Sequence, residues 1–146
     1  MARRLILDTG VLVATDRARA SLGEVFRPDD DVAIAAVSVA ELRTGVELAS
    51  ANRRDAREAF FEQVLRLIPV ESYDVAVAQV HGSLLAVVHR DGVQRGAHDL
   101  IIAATAAATK RTVVTLDRGV RLGDLPGVAC LELSSARTAP DSPERR

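Results

Sequence analysis

The sequence predicts an α/β fold around a central, mostly parallel sheet of about five strands, and three observations predict it. Short apolar runs alternate along the chain with longer segments of helical period. The run at 5–7 is continuously apolar rather than apolar at every second residue, as in strands covered on both faces, and 32–37 reads as a second buried strand. No internal repeat divides the 146 residues, so a single core serves the chain. Strands that alternate with helices build βα units joined by right-handed crossovers.

Taken in order, the first strand at 5–7 ends on Asp8, and a helical pattern follows with Val11, Leu12, Leu22, Val25 and Phe26, interrupted near 18–21. Arg27-Pro28-Asp29-Asp30-Asp31 reads as a loop, 32–37 as the second strand, and Ser38 as the start of a helix to about Ser50. A further helix begins at Asn52, with Ala56, Phe60, Val64 and Leu67 at helical spacing. Pro69 cannot donate to a ladder, so the third strand belongs at an edge. A helix over 73–89, a loop over 90–96 and a second helix from His98-Asp99 to Thr109 follow. This last helix is apolar nearly all round, which predicts a central, buried position. The fourth and fifth strands are expected at 112–116 and 128–133, with a loop over 119–127 between them. Residues 1–135 form the expected domain, and 136–146, with Pro140, Pro143 and clustered charges, the expected disordered tail.

Composition excludes several classes of function. Only 3% of residues are aromatic, so base-stacking platforms are scarce, and a net charge of −1 neither demands nor excludes nucleic acid. Cys130 is the sole cysteine and lies in an apolar run, which rules out an internal disulfide or a thiolate metal cluster. No apolar stretch reaches the length of roughly 18–20 residues that spans a bilayer, and the N-terminus lacks signal-peptide character. The expected location is cytoplasmic.

Four carboxylates carry the chemistry. Asp8 follows the first strand, Glu41 lies early in the helix after the second, Asp99 opens the buried helix, and Asp117 follows the fourth strand. Each has an ordinary explanation: Asp8 as a helix cap, Ser38-Val39-Ala40-Glu41 as a capping box, Asp99 as a first-turn acid, Asp117 as a turn residue. In a parallel sheet, however, all four fall at the same carboxyl edge, where ligands bind. Like charges gathered at one edge weaken the fold unless a cation offsets them. With no Cys or His cluster, oxygen donors point to Mg²⁺, or Mn²⁺, rather than Zn²⁺.

The pieces "LILDTGVLVA", "SVAEL", "AHDLIIAATA" and "VVTLDRG", in that order and spacing, resemble the PIN-domain ribonucleases, and more narrowly the VapC-type toxins of bacterial toxin–antitoxin pairs. The resemblance covers about residues 4–133. It implies a PIN-like α/β/α sandwich and a Mg²⁺-dependent endoribonuclease. It makes Asp8, Glu41, Asp99 and Asp117 the acidic quartet, for catalysis and metal alike, with Asp8 and Asp99 the principal ligands. Thr9 and Thr115 match the supporting hydroxyls. One departure stands out: Arg118-Gly119-Val120 follows Asp117 where the family often has another acid and an aromatic, which sets Asp117 at the edge of the site, as a direct or a water-mediated ligand. The resemblance further implies a tRNA or rRNA substrate, a homodimer, and inhibition by a cognate VapB-like antitoxin.

Substrate contacts outside the quartet rest on position alone. Arg118 and Arg121 flank the last acid as phosphate contacts or as a solvated loop. His98, beside Asp99, either lines the site or serves the helix start. RNase H-like, receiver and dehalogenase-type folds fit less well: strand one runs straight into a helix, the receiver's acidic cluster and phosphoacceptor Asp are missing, and position 10 is Gly10 rather than a second Asp. The alternative from another class is a catalytically weak PIN-fold module that binds RNA or a protein partner.

Overall fold

The computed structural model describes residues 2–18, 26–116 and 121–133. Leu22, Val25, Asp117, Arg118 and the expected tail at 136–146 therefore lie outside the described residues. In chain order the elements are β1 (Arg4–Leu7), α1 (Thr9–Arg17), β2 (Asp31–Ala35), α2 (Ala36–Glu47), α3 (Ala51–Leu67), β3 (Val70–Glu71), α4 (Val75–Asp91), α5 (Ala97–Thr109), β4 (Thr112–Thr115), a 3₁₀ turn (Leu122–Asp124) and β5 (Cys130–Glu132).

All five strands run parallel in the order β3-β2-β1-β4-β5. The chain moves outward from β1 to β3 on one side and from β4 to β5 on the other, so the order reverses between β1 and β4. That reversal opens a crevice at the carboxyl ends of the two central strands.

Alternation along the strands divides the core between two layers of helices. Ile6, Ala35 and Val113 pack with Val77 and Leu84 of α4 and with Leu100, Ile102 and Ala103 of α5. On the opposite face Leu5, Leu7, Ile34 and Val114 meet Val11 and Leu12 of α1, Leu42 of α2 and Val64 of α3. Each fully buried Leu, Ile or Val stabilises the fold by roughly 1.5–3 kcal/mol relative to exposure. The small side chains of α5 let it lie close: Ala103, Ala104 and Ala106 are buried against the sheet and α4. No helix of the described residues is long and apolar enough to cross a membrane.

Several boundaries differ from the sequence reading. The second strand stops at Ala35 and α2 begins at Ala36, because β2 runs out of ladder partners at Ile34 and Ala35. Ser38 is consequently the third residue of α2 rather than its cap. The fifth strand is only 130–132, the stretch that pairs with 113–115 of β4. Helix α4 ends where Gly92 takes φ +68°, a left-handed conformation that favours glycine.

Candidate active site

Asp8 is fixed at the tip of β1 by three hydrogen bonds. Its amide donates to Val114 O at 3.0 Å, extending the β1–β4 ladder by one step. Its Oδ1 accepts from Val11 N at 2.9 Å, which makes it the N-cap of α1. Its Oδ2 accepts from the Thr115 hydroxyl at 2.5 Å. The cap and the site are one arrangement: capping α1 consumes one lone pair of one oxygen, and the carboxylate keeps further acceptor capacity at the switch point.

Thr9 joins this position to α2. Its hydroxyl lies 2.8 Å from Glu41 Oε1 and 3.0 Å from Ser38 Oγ. An ionised carboxylate only accepts, so Thr9 donates to Glu41 and Ser38 donates to Thr9. Ser38 is fully buried and sits one turn before Glu41 on the same face of α2. The capping-box reading of this pair gives way to a hydroxyl relay that aims Glu41 across the β1 tip. The signal was present in the i,i+3 spacing, which a cap and a relay share.

Asp99 is the third residue of α5, after the N-cap Gly96. Its carboxylate folds back over Gly96 so closely that a Cβ at that position would lie 2.6 Å from Oδ2. His98, next to it, brings Nδ1 to 3.7 Å from Glu41 Oε2, with its side chain 59% exposed. Asp8, Thr9, Glu41, His98 and Asp99 thus form one connected chain of contacts and covalent neighbours, with Thr115 and Ser38 behind it.

The remaining side chains have other partners or surroundings. Arg121 has a left-handed backbone and pairs through Nε with Asp124 Oδ2 at 2.7 Å. Burial, with the carboxylates of Glu132 and Asp8, pushes the Cys130 thiol up, which suits a packing side chain and not a nucleophile. Arg54 and Arg57 donate to carbonyls of Glu47 and Gly45 and tie α3 to α2. Beside Glu41 a small cleft of about 80 Å³ opens between α1, α2 and α3, lined by Val13, Leu42, Val46, Phe60 and Phe61 with Arg17 and Arg57.

A model of the PIN domain matches residues 5–124 of the sequence. The chain belongs to the PIN-domain family. A protein named Ribonuclease VapC from Rickettsia bellii is 27% identical to this PIN domain over 114 residues, 77% of this chain and 84% of that one. Among solved structures, VapBC-5 from Mycobacterium tuberculosis, a member of the VapBC family of toxin–antitoxin systems, is 30% identical with a TM-score of 0.74, covering 89% of this chain and 98% of that chain. DNA-bound VapBC from Salmonella typhimurium is 25% identical with a TM-score of 0.77, covering 90% of this chain and 98% of that chain.

The donor set of this PIN domain suits a hard divalent cation: carboxylates of Asp8, Glu41 and Asp99, with hydroxyls behind the first two. Among the described residues, no three His, Cys, Asp or Glu side chains close around one point. Mg²⁺ does not require that, since it keeps several waters and is held by one or two carboxylates.

Proposed function

We propose that this PIN domain is a VapC-type toxin, a Mg²⁺-dependent endoribonuclease that hydrolyses RNA phosphodiesters. The observation that carries the reading is the Thr115–Asp8–Thr9–Glu41 arrangement at the switch point of a parallel sheet, in a chain of the PIN family. Asp8 and Asp99 are the principal metal-holding groups, Glu41 binds metal or orients the attacking water, and Asp117 contributes at the edge. Held there, a divalent cation would lower the pKa of a bound water and stabilise charge on the departing oxygen.

The chain's own residues do the rest. Thr115 and Thr9 hold the carboxylates of Asp8 and Glu41 in fixed directions, so less reorganisation is needed when substrate arrives. Arg118 and Arg121 hold phosphates away from the scissile bond, on exposed loops of a structured RNA such as tRNA or rRNA. The cognate partner is a VapB-like antitoxin, with the cleft between α1, α2 and α3 as its apolar seat and Glu41 within reach of a basic side chain. The working unit is a homodimer in the cytoplasm.

The test is cleavage of total cellular RNA by purified, antitoxin-free protein in Mg²⁺ or Mn²⁺. Discrete cuts that vanish with EDTA and with Asp8→Asn are expected. Equal behaviour of wild type and Asp8→Asn would overturn the nuclease reading and leave a PIN module that binds RNA or a protein partner.

A further inference from the structure

Two arginines stand at the cleft between α1, α2 and α3 without a carboxylate of their own. Elsewhere Arg3, Arg43, Arg111 and Arg121 each meet one at 3.0 Å or less. Arg17 and Arg57 line the cleft, and among the described residues neither is in an ion pair. Arg57 donates through Nη1 to the carbonyl of Gly45 at 3.3 Å, a long bond that leaves most of its donors unused. Asp16 lines the cleft beside them and is not in an ion pair either, so two cations face one anion there.

These charges lie away from Glu41. Helices α1 and α2 both start at the carboxyl ends of their strands and run away from that edge. Gly45, which holds Arg57, lies one turn beyond Glu41 on α2, about 6 Å at 1.5 Å per residue. Arg17 closes α1, about 12 Å from Thr9, whose hydroxyl bonds Glu41. Between the two ends the floor is apolar, with Leu42, Val46, Phe60 and Phe61. Its volume of about 80 Å³ is well under the roughly 150 Å³ that takes a benzene ring, so it admits a branched aliphatic side chain and not a nucleobase. That size favours a protein partner over RNA as the occupant.

We propose that Arg17 and Arg57 form a carboxylate receptor, and that the protein partner seated in the cleft presents an aspartate or glutamate there beside an aliphatic anchor. The proposal rests on the reading of the cleft as the antitoxin's seat and deepens it by naming what the partner must carry. A guanidinium offers paired N–H donors that match a carboxylate, and such charge-assisted bonds are stronger than neutral ones. A partner that brings apolar contact alone leaves both guanidiniums unmatched, so the pair selects among partners that fill the same cleft.

The experiment is selection of a random dodecapeptide library, displayed on phage, against the full-length, antitoxin-free protein. Wild type is compared with the double variant Arg17→Gln, Arg57→Gln and with two cleft variants at half-buried positions, Val13→Gln and Phe60→Gln, each checked for folding by circular dichroism. Wild type is expected to enrich peptides with an aliphatic residue beside an aspartate or glutamate, and the cleft variants to lose them. The enriched peptide, labelled with fluorescein, is then titrated by anisotropy with its acid intact or changed to the amide. That change is expected to weaken binding to wild type about five- to tenfold, and to the double arginine variant by no more than about twofold. Peptides that need the cleft but carry no acid, or whose acid is indifferent to the two arginines, overturn the receptor and leave the seat standing. Absence of any enrichment that the cleft variants abolish overturns the seat and the receptor together. If a fluorescent dodecauridine RNA, and not the peptide, loses binding in the double arginine variant, the arginines serve RNA and the proposal falls.

Discussion

The Thr115 hydroxyl donates to Asp8 Oδ2 at 2.5 Å, from the end of β4 to the tip of β1. The two strands are neighbours, and the sheet order reverses between them. One side chain therefore orients the carboxylate that both the helix cap and the proposed metal site need. Thr115→Val keeps the β-branched shape and removes the donor. It is expected to cost about 1.5–3 kcal/mol in urea unfolding, the range for a hydrogen bond to a charged group. RNA cleavage should fall roughly tenfold or more, as for partners that orient metal ligands. Thr115→Ser, which retains the donor, should recover most of both. Equal loss in the two variants would mean that packing, and not the hydrogen bond, carries the effect.

At the opposite edge of the sheet, the Arg3 guanidinium holds the Asp30 carboxyl well below its ordinary value, to about 2. The contact is bidentate, Nε to Oδ1 at 2.8 Å and Nη2 to Oδ2 at 2.6 Å, and Arg27 N adds a third bond at 2.8 Å. Burial opposes the shift and is outweighed. A carboxyl lowered in the folded state stabilises above its unfolded value of 3.8 and loses that contribution as pH falls through about 2. Urea midpoints of wild type and Asp30→Asn should differ by a constant amount above about pH 5 and converge near pH 2. A gap that persists at pH 2 would show that shape and not charge is responsible.

Arg111, just before β4, is 7% exposed and reaches across three strands. Its Nη1 donates to Leu5 O at 3.2 Å, Asp31 O at 2.9 Å and Asp31 Oδ1 at 3.0 Å, while Nε and Nη2 meet Glu71 Oε1 at 3.2 and 3.1 Å. Arg111→Met keeps the aliphatic stem and strands these acceptors. Removing one partner of a buried pair costs about 3–5 kcal/mol, and about 2–4 is expected here because Asp31 and Glu71 keep contact with solvent. Thermal and urea unfolding check it. Arg111→Lys should recover less than half, since an ammonium cannot span the same acceptors.

How much of this was legible in the sequence depended on range. The apolar runs of β1 and β4, the helical spacing of α4 and the acids at strand ends are local patterns, and they single out Asp8, Glu41 and Asp99 as candidates. Ser38 and His98 were visible but misassigned or undecided, because their partners Thr9 and Glu41 come from other elements, 29 and 57 positions away by residue number. Arg111 was invisible as a clamp: its acceptors are carbonyls and acids of three different strands, and no spacing rule encodes them. The end of β2 was misjudged for the same reason, since Val37 is as apolar as a strand residue, but the ladder ends at Ala35.

By sequence Gly96 belongs to a loop, and the structure gives it a specific task. It caps α5 with φ −60° and ψ 140°, a conformation open to any residue, so backbone freedom is not what the position requires. What it provides is room: a Cβ there would meet Asp99 Oδ2 at 2.6 Å. In Gly96→Ala the carboxylate, at the free end of its side chain, must swing away while the helix stays in place. Stability should fall by about 1 kcal/mol or less, as for an N-cap change that removes no side-chain bond. Cleavage at saturating Mn²⁺ should fall by about tenfold to a hundredfold, because a displacement on the order of 1 Å in a positioning group has that effect. Mn²⁺ affinity, read by calorimetry, should weaken in parallel if Asp99 holds the metal. Wild-type cleavage by Gly96→Ala would mean that Asp99 works from a position that does not touch Gly96, and its role as a principal ligand would then have to be met in another rotamer.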